Sequence, residues 1–127
     1  MRNHLEATAF FLILHNIYLK KYEMIISPIH EIEVQSICEI NERKELMEIF
    51  IQYGKKPECN MNEIRQRAEE LVTKNLGAAD AAHFAFAEAT ADFFITCDDR
   101  LLKLCKNFES NIIAFNPVEF CIREKLK

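Results

Sequence analysis

A chain of 127 residues, 50% hydrophobic and 28% charged, has the composition of one folded domain with a sizeable core and no room for two. Its formal net charge of −4 counts against a broad basic face for nucleic acid, so contact with a polyanion is expected to be local or metal-mediated. With only 2 glycines and 3 prolines, long helices joined by short turns are expected.

Residues 4–20 read as a helix that is apolar on most sides, packed between other elements. Its run "ATAFFLILHNIYL" looks like a signal-peptide core but has no small-residue cleavage site. His15 and Asn16 interrupt it, and it is too short to span a bilayer, so no membrane partner is expected. "YEMIIS" (Tyr22 to Ser27) predicts a short parallel strand, and Ser27 before Pro28 predicts a helix start running to about Cys38. "NERKELMEIFIQY" follows as a helix with Asn41 as its cap, and "GKKPECN" (Gly54 to Asn60) as a loop broken by Pro57. "NEIRQRAEELVTKNLG" is an amphipathic helix with Ile64, Ala68, Leu71 and Val72 on one face and Gly77 as the residue that closes it. The remaining elements are a helix from about Ala79 to Thr90, a strand "FFITC", a helix "DRLLKLCKN", a strand "NIIAF" (Asn111 to Phe115) and a last helical turn from Pro117. Strands separated by helices argue for a three-layer α/β/α domain with a parallel sheet, here residues 1–127 as one unit, although three strands are few for such a sheet.

Cys38, Cys59, Cys97, Cys105 and Cys121 form no CxxC pair, which predicts reduced thiols in a cytoplasmic setting and argues against a zinc site. The acids carry more information. Ligand sites in open parallel sheets lie outside the carboxyl ends of the strands. Asp98 follows "FFITC" and meets that condition, whereas Asp92 precedes the same strand. At about 3.3 Å per residue the two are too far apart to share an ion. Asp80 opens an alanine-rich helix and is equally readable as an N-cap. Glu33 lies in the second turn after Ser27, with Glu31 as a competitor and a solvated helix face as the alternative for both. Three acids from separate segments can form an oxygen-ligand site for Mg²⁺ or Mn²⁺, a site suited to phosphodiester hydrolysis.

The segments Asp80-Ala81-Ala82-His83-Phe84-Ala85-Phe86-Ala87, Thr96-Cys97-Asp98, "IIAFNPVEF" and "IISPIHEIEVQSI" together resemble PIN-domain proteins, the family of VapC-type toxin ribonucleases and related metal-dependent nucleases. The resemblance covers nearly the whole chain, and its serine-to-glutamate spacing selects Glu33 over Glu31. It implies a PIN-like α/β fold in which Glu33, Asp80 and Asp98 hold Mg²⁺ or Mn²⁺. By the same resemblance Thr96 and His83 support the site from behind, and Asp99 is an auxiliary candidate. Thr96 also suits a strand simply as a β-branched residue, and Asp99 a helix start. The family's first strand, with its leading aspartate, should precede the first helix. Here Met1-Arg2-Asn3 runs directly into that helix, so a sheet with a gap between "YEMIIS" and "FFITC" is expected, and Met1 is a candidate internal methionine.

Two functions follow from the resemblance. One is a metal-dependent endoribonuclease of toxin–antitoxin type, with RNA as substrate, an antitoxin as partner and a homodimer as its assembly. The other is a catalytically inactive PIN-like remnant that binds a partner. A receiver-type phosphoacceptor domain would need a lysine after a late strand, and "NIIAFNPVE" offers none.

Overall fold

The apolar N-terminal run forms α1 (Arg2–Tyr18) and ends two residues earlier than its hydrophobicity suggests. Lys20 takes a left-handed conformation, φ 64°, and the Lys21 and Lys20 amides turn back onto the Asn16 and Ile17 carbonyls, a Schellman closure built without glycine. The computed structural model describes residues 2–127, with side chains from His4 onward; Met1, on which the start-site expectation turns, lies outside the described residues.

The strand expected over Tyr22–Ser27 shortens to β1 (Met24–Ile25). Ser27 caps α2 (Pro28–Gln35) as expected, with His30 completing a capping box: Ser27 Oγ accepts the His30 amide, and His30 Nδ1 accepts the Ser27 amide. Next comes α3 (Ile40–Tyr53), whose cap is Glu39 rather than Asn41, because the longer carboxylate reaches the Asn41 and Glu42 amides at 3.0 and 2.6 Å. The first two residues of the expected loop form β2 (Gly54–Lys55), parallel to β1 with Met24 opposite Gly54 and Ile25 opposite Lys55. Gly54 is required by closeness rather than dihedral angle: a Cβ there would lie 2.5 Å from the Phe50 carbonyl oxygen and 2.8 Å from the Ile26 side chain.

In the second half α4 (Met61–Val72) packs along α5 (Ala78–Thr90), and β3 (Phe93–Ile95) pairs in parallel with β4 (Ile113–Phe115) across α6 (Asp99–Cys105). Asn75 at φ 78°, not Gly77, closes α4; asparagine tolerates this conformation, and Gly77 is left extended as the N-cap of α5. The small residues of α5 serve close packing: Ala81, Phe84, Ala85 and Phe86 are all buried there, and Phe84 meets Phe94 and Phe108 edge-on at 5.3 and 5.2 Å. α7 (Pro117–Glu124) covers β4 and carries α1, with Cys121 Sγ donating to the Ala9 carbonyl at 3.5 Å.

The fold is therefore α/β, mostly helical with short parallel strands. Its strands form two separate pairs, β1–β2 and β3–β4. Among the described residues no strand hydrogen-bonds one pair to the other, which matches the gap expected from the sequence.

Candidate functional site

The candidate acids stand where the fold delivers its strand ends. Asp98 follows β3 and caps α6, its Oδ1 accepting the Leu101 amide at 3.1 Å, while its own amide donates to Thr96 Oγ1 at 3.2 Å. Thr96 thus shapes the turn that presents Asp98. Asp80 is not an N-cap. Gly77 takes that position, and Asp80 stands in the first turn of α5, where a carboxylate suits the helix dipole. It is half-buried near Cys105: burial first, and the Asp80 charge second, push the Cys105 thiol up to about 11.

The two glutamates of α2 diverge. Glu31 pairs with Lys56 Nζ at 2.9 Å on the surface, whereas Glu33 turns toward α5 and meets His83 Nε2 at 2.8 Å. The His83 side chain is mostly buried, and its other ring nitrogen, Nδ1, is buried with no hydrogen-bond partner among the described residues. Its ring centroid stands 4.4 Å from that of His30. Burial first, and His83 second, lower the His30 pKa to about 4, so this ring is neutral at pH 7, as its role as acceptor from Ser27 requires. Nothing in the sequence reading singled out His30. The available signal was its place three residues after the capping Ser27 and three before Glu33, one face of one helix.

A family model described as PIN domain matches residues 3–107. The chain belongs to the PIN-domain family. No curated protein and no solved structure gives a significant match. PIN domains are a nuclease-type family whose members use divalent metal ions. Carboxylate oxygens are the right donors for such ions, but the arrangement in this PIN domain does not fit one. Among the described residues no group of three or more His, Cys, Asp or Glu side chains is placed to hold a metal ion. One Glu33 oxygen accepts from His83, and one Asp98 oxygen from the Leu101 amide.

The fold also carries a cleft of about 780 Å³ elsewhere, lined by Glu58, Glu63, Arg67, Glu88 and Glu109 among others, with none of the candidate acids in its wall. Among the described residues its one cation, Arg67, is already committed. Arg67 donates to both Glu88 oxygens at 2.8 and 3.0 Å, to Glu70 at 2.9 Å and to the Glu109 carbonyl at 2.8 Å, and the Glu88 hydrogen bond raises its pKa. This cluster fastens α4 to α5 and to the segment before β4. The sequence reading missed it, since no local pattern joins residues so far apart.

Proposed function

We propose that this PIN domain is a metal-dependent endoribonuclease of VapC toxin type, hydrolysing RNA phosphodiesters, with Glu33, Asp80 and Asp98 as its functional carboxylates. The observation that carries the reading is the family match over residues 3–107, which spans all three acids, each in or directly before a helix that follows a strand or opens the layer beside it. Mg²⁺ or Mn²⁺ is the proposed cofactor, with Thr96 as a support, His83 as the residue that positions Glu33 and Asp99 as an auxiliary acid. An antitoxin protein is the proposed partner, a homodimer the proposed assembly and the cytoplasm the proposed compartment. Among the described residues no helix is long and apolar enough to cross a membrane.

The test is RNA cleavage by the 127-residue chain with Mg²⁺ or Mn²⁺. The expected result is metal-dependent scission leaving 5′-phosphate and 3′-hydroxyl ends, lost in Asp98→Asn and lost in wild type when EDTA removes the ion. Folded protein that leaves RNA intact with either ion would sink the proposal.

A second reading, a PIN-like domain that binds a partner without cleaving RNA, is favoured by the engagement of Glu33 with His83 and by the absence of a metal-holding group among the described residues. Cleavage abolished by Asp98→Asn would exclude it.

A further inference from the structure

His30 and Glu33 are three residues apart on α2 and present one face to α5. The Ser27 amide donates to His30 Nδ1 at 2.9 Å, and the Ser27 hydroxyl lies 3.1 Å from the same nitrogen, which fixes the plane of the ring at the end of β1. Phe50 of α3 stands edge-on to it at 6.2 Å. His83 of α5 lies against this braced ring and reaches past it to Glu33. A carboxylate accepts only, so the His83 Nε2–H donates. Among the described residues the other nitrogen has no hydrogen-bond partner, so Glu33 alone satisfies an imidazole whose side chain is 12% exposed, while the Glu33 side chain is 53% exposed.

Separation would be unequal. Glu33 would return to water at little cost, but His83 would keep two unpaired nitrogens inside the protein. An unsatisfied buried polar group is costly, and the cost opposes anything that competes for Glu33.

We infer, on the ribonuclease reading above, that the His83–Glu33 contact is a latch: His83, braced by His30, is a positioning residue that withholds the Glu33 carboxylate from a divalent cation. A cation that takes Glu33 Oε1 competes with the His83 N–H for that oxygen, and its affinity falls accordingly. Opening and closing the latch switches the acid set between a strut joining α2 to α5 and a metal ligand.

The experiment is a Mn²⁺ titration of the full chain by calorimetry. His83→Phe keeps a ring against His30 and removes both nitrogens. It should bind Mn²⁺ about tenfold more tightly than wild type. His83→Gln, whose amide can still donate to Glu33, should stay near wild type. Adding Glu33→Gln to His83→Phe should cancel the gain. Equal or weaker binding by a folded His83→Phe, in a protein that does cleave RNA, would overturn the latch alone. No Mn²⁺ binding in any folded variant would overturn the ribonuclease reading and the latch together. A measurement on wild type avoids dependence on the variants folding. Saturating Mg²⁺ should move the His83 ring ¹⁵N resonances as the Glu33 contact opens, and resonances that stay in place at saturation would overturn the latch.

Discussion

Residues 24–55 and residues 61–115 are built alike, each a pair of parallel strands with helices between and beside them, yet they differ in what they bury. The second region closes around Ile64, Leu71, Leu76, Ala81, Phe84, Ala85, Phe86, Leu101 and Ile112. The first buries Ile26, Ser27 and Val34, and α3 contributes no buried residue at all. Local stability follows apolar contact, so the first region opens more readily than the second. Asp80 and Asp98 stand on the firm region and Glu33 on the loose one. The proposed site therefore straddles a stability boundary, and the His30–His83–Glu33 cluster is its joint.

The largest effect should come from the firm region. Phe84 is 1% exposed and central to the ring cluster, so Phe84→Ala should destabilise the protein by about 3–5 kcal/mol in urea unfolding. Val34→Ala, the matching truncation in the loose region, should cost less than half of that. Equal losses would show that both regions share one cooperative core and would erase the comparison.

Arg67 comes next. Arg67→Lys keeps the charge but loses the paired contact with Glu88 and the hydrogen bond to the Glu109 carbonyl, and should cost roughly 1–3 kcal/mol. Amide exchange should rise in α4 and in the segment before β4 and stay unchanged in α2. Faster exchange in α2 instead would mean that the two regions communicate through more than the histidine joint.

Much of the firm region was legible because its signals are local. The alanines of residues 78–91 announced close helix packing, "FFITC" announced a strand, and Ser27-Pro28 announced a cap in the other region. The features that escaped depend on contacts distant in sequence. Gly54 and Lys55 carry no strand pattern of their own and become β2 only because α3 delivers them beside β1. Gly77 looked like the end of one helix because glycine is the usual closing residue, yet Asn75 accepts the same backbone conformation. The acids could be nominated from their places after strands and from family resemblance. That Glu33 faces a histidine fifty residues away could not be read, since its neighbours in sequence say nothing about α5.

The joint itself should respond to pH. His30 has a folded pKa of about 4 against an ordinary value of 6.5, so between those values the unfolded chain binds the extra proton and the folded protein does not. Stability from this group is complete above pH 6.5 and is lost as pH falls toward 4. The ring is partly solvated, so the loss should be about 1–2 kcal/mol rather than the full value of the shift. The groups facing it are Ser27, Glu33, His83 and Phe50. His30→Phe should flatten the thermal-melt profile over this window, and an unchanged slope would place the acid sensitivity elsewhere.

The smallest effect is expected on the outer face of α3. Ile51 is 81% exposed, and Met47, one turn before it, is 38% exposed. Serine and isoleucine have similar helix propensities, and an exposed side chain gives up little burial energy, so Ile51→Ser should alter the monomer's stability by no more than about 0.5 kcal/mol. The comparison between regions sharpens with protein concentration. If a second copy covers α3, the wild-type melting temperature climbs with concentration by mass action and that of Ile51→Ser does not. Concentration-independent melts for both would leave α3 as a bare face, held only along its inner side, and would fix the loose region's weakness as a property of the single chain.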